Sequence, residues 1–290
     1  MASRHLAWMA ILLGTWLVAA AGAAAAPPGK PAIVLTAFGT STAAADTYEH
    51  VAALARKRFP GYEIRWAFTS QKVSKKLWQE RRQQLPGLPQ VLRELHDAGF
   101  TRVAVQSLHV VPGAEWDEVV KESRLVPGLR VALGQPLLNG PQDQQRVLEL
   151  LEPTFPRDLE HTAVVLVAHG SPTPAGEAVY LEFNRRLRSR HRDHKVFLGT
   201  VQNQPSGEAA LAAVRASGAT SVQFIPLLLV AGEHIRQDIM GDAPKSWKSR
   251  LEAGGTIKVL DIPSPGLGYR DNIVQIYLDH LDQALQTLAP

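Results

Sequence analysis

Apolar positions along this chain form short unbroken runs and longer periodic stretches, and the two alternate. Ile33-Val34-Leu35, Val164-Val165-Leu166-Val167 and Leu227-Leu228-Leu229-Val230 are continuous aliphatic runs. Such runs suit strands buried on both faces, as in a parallel sheet. The pattern predicts strands at about 32–37, 62–68, 102–109 and 129–133, with helices at about 44–58, 87–98 and 141–152. It then resumes with strands at about 163–168, 195–201, 221–229 and 256–261. Helices at about 175–190, 206–216, 234–240 and 270–288 lie between and after them. Alternation of this kind predicts an α/β fold of parallel sheets flanked by helices.

The two series match each other. Gly99 through Glu115 aligns with Gly218 through His234 at an offset of 119 without gaps, glycine meeting glycine at Gly99/Gly218 and Gly113/Gly232. Ile33 through Thr40 aligns with Val164 through Ser171 at an offset of 131, and Gly140 and Asp143 align with Gly268 and Asp271. Three matches in the same order predict two homologous Rossmann-like halves, each a parallel sheet flanked by helices, with the active-site cleft between them. The stretch Pro153-Thr154-Phe155-Pro156 is the expected joint. It gives an N-terminal α/β domain at 27–155 and a C-terminal α/β domain at 156–290.

Residues 1–26 stand apart. Arg4 and His5 precede an apolar run from Leu6 through Val18 and an alanine-rich stretch ending near Ala26. This is the layout of a secretory signal peptide, and the run is shorter than the ~20 residues that span a bilayer. The expectation is cleavage near Ala26, export to the periplasm, and no membrane span afterwards. The chain has 290 residues and no cysteine, which excludes disulfides, thiolate metal sites and cysteine nucleophiles. Its formal net charge of +4 falls to about +3 without Arg4. That surplus suits an anionic ligand. It does not suit nucleic acid, because the basic residues are scattered without aromatic interleaving.

The repeat brings out candidate chemistry. His169 takes the position of Phe38, and His234 that of Glu115. All four follow a strand's carboxyl end, where ligands bind in open α/β sheets. Two imidazoles and a carboxylate suit a divalent metal such as cobalt, iron, nickel or zinc. They equally suit general-base chemistry. Gly39-Thr40-Ser41 and Gly170-Ser171 open helical patterns, and either hold anions through free amides or simply cap helices. His109, late in a strand, lines the cleft or packs beside it. His96 reads as a surface residue, and Trp66, Trp78, Trp116 and Trp247 as core or helix anchors. Nucleotide-binding glycine loops and serine-hydrolase elbows are absent.

In combination and order, several segments resemble the sirohydrochlorin cobaltochelatases of the anaerobic cobalamin pathway, within the class II chelatase superfamily. They are Ala37-Phe38-Gly39-Thr40-Ser41, Ala67-Phe68-Thr69-Ser70, Val105-Gln106-Ser107-Leu108-His109 and Ala168-His169-Gly170. Pro226 through His234, with Asp238 and Ser246-Trp247-Lys248, completes the set. The resemblance implies ATP-independent insertion of a divalent metal, Co2+ with Fe2+ as a second candidate, into sirohydrochlorin, with no organic cofactor. It implies that His169, His234 and Glu115 bind metal and that the two histidines carry the catalysis. Phe38, Gly39, Thr40, Ser41, His109 and Gln202 would meet substrate. Gln202 stands where many relatives have a glutamate, so one charge is missing from the expected set. Export also separates such an enzyme from cytoplasmic tetrapyrrole synthesis. The alternative is therefore a periplasmic carrier of metal or haem-like tetrapyrrole on the same fold. The sequence leaves a homo-oligomer open.

Overall fold

A computed structural model of the protein describes residues 29–42, 45–262 and 266–289; the leader expected at 1–26 lies outside the described residues. The first sheet contains β1 (Ala32–Ala37), β2 (Ile64–Phe68), β3 (Arg102–Ser107) and β4 (Arg130–Gly134), in the spatial order β2-β1-β3-β4. The second contains β5 (Thr162–Ala168), β6 (Val196–Thr200), β7 (Ser221–Pro226) and β8 (Lys258–Leu260), in the order β6-β5-β7-β8. Every pairing is parallel. The two orders are the same order, as the repeat predicts.

Each central strand buries both faces. Ile33, Leu35 and Ala37 of β1 enter one core cluster together with Val164, Leu166 and Ala168 of β5. The alternate residues of β1, Ala32 and Val34, face a second cluster. Ala163, Val165 and Val167 of β5 face a third. The shared cluster therefore joins the two halves, and the other two cover their outer faces. In each sheet the chain leaves the central strand for one neighbour and then crosses back to the other. That reversal falls between β1 and β3, and between β5 and β7, so the crevice for a ligand lies at their carboxyl ends.

The helices are α1 (Asp46–Arg58), α2 (Gln71–Arg81), α3 (Leu88–Asp97), α4 (Ala114–Glu122), α5 (Pro141–Leu151), α6 (Pro174–Arg190), α7 (Gly207–Ala216), α8 (Trp247–Glu252) and α9 (Asp271–Thr287). Helices α2, α4 and α8 escape the apolar pattern. Among the described residues α2 buries only Leu77 and α4 only Val119, too little for a periodic stripe. Division of the chain at 155/156 separates the sheets but not the helices. Helix α9 packs on β3 and β4 of the first half. The His280 ring bridges the Gln135 carbonyl (3.0 Å) and the Asp143 carboxylate (3.1 Å). Asp279 pairs with Arg58 and Arg146 at 2.7 and 2.6 Å.

The strand expected at 221–229 is shorter. β7 ends at Pro226; the Leu227 amide still donates to the Val167 carbonyl of β5 at 2.7 Å, and Leu228 through Val230 leave the sheet. Their backbone is tied elsewhere, the carbonyls of Leu228 and Leu229 accepting from Leu267 and Gly268 amides at 2.8 and 2.9 Å. Leu227 and Leu229 remain buried, so the aliphatic run reflects burial rather than extension. Likewise the stretch expected as a strand to 109 ends at Ser107.

Candidate metal-binding cleft

The two histidines meet. His169 follows β5 directly, and His234 opens a π-helical turn, His234–Ile239, after the β7 tip. Their ring centres lie 5.1 Å apart with planes inclined at 69°. An ion on an imidazole nitrogen sits roughly 2 Å from it, hence about 3 Å from the ring centre; two rings sharing one tetrahedral ion are therefore centred about 5 Å apart. The observed pair has that spacing. Single π-turns are frequent at functional sites, because the extra residue re-aims a side chain.

The His234 ring is oriented from behind. Its Nδ1 lies 2.6 Å from an Asp238 carboxylate oxygen, one turn along the same segment. Carboxylate contact at Nδ1 favours a proton there and leaves Nε2 with its lone pair free for a ligand. The His169 backbone is held by its carbonyl, which accepts from the Gln202 amide at 3.0 Å. Burial holds the His169 pKa below the ordinary histidine value, and the neighbouring His234 lowers it further. The Gly170 backbone and the Glu115 charge act in the opposite direction. The net shift favours a neutral ring, the form that binds metal.

The first half supplies the facing wall. Phe38, 44% exposed, points its ring toward His169 with centres 6.5 Å apart. Glu115 lies in the first turn of α4, half-buried, near enough to act on His169 through its charge. It does not complete a three-ligand set, because among the described residues no three histidine or carboxylate side chains converge as a metal cage. The pair is an open two-imidazole arrangement.

Glycines let the tips approach. Gly39 and Gly170, equivalent in the repeat, both have left-handed φ (+98° and +91°). A Cβ on Gly170 would lie 1.8 Å from the Gln202 carbonyl oxygen. Gly39 is braced by Tyr48, whose hydroxyl engages the Gly39 backbone and whose ring packs on Trp66 and Phe68. Across the halves, Gly113 backs onto the Ser171 hydroxyl, and Gly232 onto that of Thr40. By the repeat these are the same contact made twice.

The remaining candidates sit as follows. Thr40 and Ser171 do not cap helices: each hydroxyl accepts from the amide two residues on (3.3 Å in both cases), and Ser41 follows in a bend. α1 has no side-chain cap, and α6 is capped by Thr173. His109 is held inside the first half, with Nδ1 2.9 Å from the Ser107 hydroxyl and Nε2 3.3 Å from that of Thr69. Burial pushes its pKa down to about 4, so it is neutral at pH 7. Gln202 is exposed, and its backbone, rather than its side chain, braces His169 and Gly170. Asp238 is the contact behind His234 that reading for metal ligands overlooks; the signal was a carboxylate four residues after His234.

Two sheets of one order, with a histidine pair at the tips of the second, define a class: two-lobed α/β proteins built from duplicated halves. Comparison with known proteins narrows it. The cobalt chelatase (CbiK) family model matches residues 31–286, and the chain belongs to that family. It is 35% identical over 270 residues to the sirohydrochlorin cobaltochelatase CbiKC of Nitratidesulfovibrio vulgaris, covering 90% of this chain and 93% of that one. It is 32% identical to the sirohydrochlorin cobaltochelatase of Salmonella typhimurium, covering 88% and 97%. The sirohydrochlorin chelatase SirB of Bacillus subtilis, solved in complex with cobalt, shares the fold with TM-score 0.57 at 14% identity, covering 89% of this chain and 96% of that one.

Proposed function

We propose that the protein inserts Co2+ into sirohydrochlorin without ATP or an organic cofactor, His169 and His234 presenting the ion. Its family membership and two full-length relatives of that name support the reaction. The single observation supporting the histidine roles is the 5.1 Å separation of their ring centres.

The chemistry asks for three things: stripping water from the ion, removing two pyrrole protons, and bending a stiff ring so that its nitrogen lone pairs face the metal. Two neutral imidazoles hold the ion while leaving coordination positions open to the incoming nitrogens. As the ion departs, the freed imidazoles become available as proton acceptors. Phe38, exposed opposite His169, offers an apolar face for the macrocycle. Imidazole ligands bind Fe2+ as well as Co2+, so iron is the second metal of this proposal.

The test follows the visible spectrum of sirohydrochlorin mixed with Co2+. The full chain should accelerate formation of the cobalt product over the protein-free rate, with many turnovers per protein. Stoichiometric binding without turnover would support a carrier instead. We also propose export, on the basic, apolar and small-residue order of residues 1–26. Its check is the amino terminus of the protein recovered from a periplasmic fraction; a terminus at Met1 in the cytoplasmic fraction would contradict it. Among the described residues no helix is long and apolar enough to cross a membrane.

A further inference from the structure

The duplication is incomplete in one place. In the second half, residues 201–206 lead directly from β6 to α7; in the first half, residues 69–87 connect β2 to α3 and contain all of α2. Helix α2 therefore has no counterpart. Its surface is strongly basic. It carries Lys72, Lys75, Lys76 and Arg81, with Arg82 at its end and Glu80 as its single acid. Glu80 faces Lys76 at 4.0 Å. Lys72 and Lys75 are exposed and have no carboxylate partner among the described residues.

Beside this helix lies a pocket of about 440 Å³. Phe68 and Leu85 contribute its apolar wall, Trp78 another side, and Ser70, Ser74 and Lys75 its polar edge. Trp78, expected as a core or helix anchor, is 49% exposed, and the Arg82 guanidinium lies 5.7 Å from its ring centre. Ser74 ties the two sides together by donating to the Leu85 carbonyl at 3.2 Å. The pocket adjoins the cleft. The Ser70 amide donates to the Phe38 carbonyl at 3.1 Å. A Cβ on Gly39 would lie 3.3 Å from Leu85 and 3.5 Å from Phe68. One loop, Phe38-Gly39, thus separates this pocket from the histidine pair.

An exposed indole beside unpaired lysines and hydroxyls fits a flat, partly apolar molecule that carries carboxylates. We infer that the α2 pocket docks a carboxylate-bearing edge of the tetrapyrrole, Trp78 lying against the ring edge and Lys75, with Lys72, pairing its acid groups. Docking there delivers the macrocycle across Phe38 toward His169 and His234. This assignment rests on the proposed substrate, a carboxylate-rich macrocycle.

The experiment measures metal-free sirohydrochlorin binding to the full chain, and KM and kcat for cobalt insertion, in Lys75→Glu, Trp78→Ala and Trp78→Phe. Lys57→Glu, on α1 at the opposite end of the sheet, controls for bulk charge. Lys75→Glu should raise Kd and KM about five- to tenfold with kcat within about twofold, and should weaken the salt dependence of kcat/KM. Trp78→Ala should raise KM about threefold, with Trp78→Phe restoring most of it, since an aromatic face remains. Unchanged Kd and KM in both Lys75→Glu and Trp78→Ala would overturn the assignment, as would a fall confined to kcat. Wild-type protein that inserts cobalt while indifferent to Lys75 would leave the chelatase reading standing and this one refuted. Protein that turns nothing over, yet binds sirohydrochlorin in a Lys75-dependent way, would do the reverse.

Discussion

The tips of β5 and β7 and the tips of β1 and β3 are the same backbone carrying different chemistry. Both halves place a left-handed glycine one residue beyond the tip position, Gly39 after Phe38 and Gly170 after His169. Both follow the next crossover with a glycine that backs onto the opposite half, Gly113 on Ser171 and Gly232 on Thr40. Yet the second half carries imidazoles where the first carries an aromatic ring and a carboxylate. The second half also gains a carboxylate behind one imidazole, Asp238, and the first gains the basic helix α2. The difference teaches a division of labour. On the proposed function, the metal ligands come from one side of the cleft, and the surfaces suited to an anionic macrocycle come from the other. The shared glycine contacts hold the two sides at a fixed separation.

The largest effect should come from erasing the asymmetry. His169→Phe gives the second half the first half's residue and should lower cobalt insertion on the order of a hundredfold or more, with the thermal unfolding midpoint little changed. Activity close to wild type would remove His169 from the mechanism. Next in size, the equivalent glycines should differ when each becomes alanine. Gly170→Ala, with backbone oxygen in the way, should cost roughly 2–4 kcal/mol in denaturant unfolding. Gly39→Ala, which meets the movable end of Leu85, should cost about 1 kcal/mol, chiefly from its left-handed φ. Equal losses would mean the tips are not braced as described.

Asp238→Asn should weaken Co2+ binding about tenfold to a hundredfold by calorimetry, since an outer carboxylate fixes the tautomer and orientation of its ligand histidine. Unaltered affinity would show that the 2.6 Å contact is incidental. The smallest effect is expected from Glu115→Gln. Protons compete with metal at His169, so affinity is full above that group's pKa and is lost as pH falls through it. The Glu115 charge raises that pKa against burial. Its removal lowers the pKa further, moving the acid limb of Co2+ binding to lower pH. A shift to higher pH would contradict the electrostatic role.

Most of the architecture could be read from the chain because the central strands are buried on both faces, leaving unbroken aliphatic runs at a repeating offset. The same logic misled at Leu227–Val230. Leu227 and Leu229 are buried there, but Pro226 closes the strand, and beyond Leu227 the run is tied to Leu267 and Gly268 instead. Helix α2 stayed invisible because a helix that buries one leucine writes no stripe. Its basic surface makes sense only once the fold places it beside Phe38. The histidines were legible through the repeat, which put them at equivalent tips. Which groups hold them was not, since a Gln202 amide bonded to the His169 backbone and a π-turn bringing Asp238 behind His234 leave no apolar signature.

The central claim is that one ion touches both imidazoles. Crystals of the protein soaked in Co2+, with diffraction recorded at the cobalt absorption edge, test it directly. A single anomalous peak about 2.1 Å from a nitrogen of both His169 and His234 is the predicted result. A peak on one ring alone, or an ion held elsewhere while this pair stays vacant, would contradict the account.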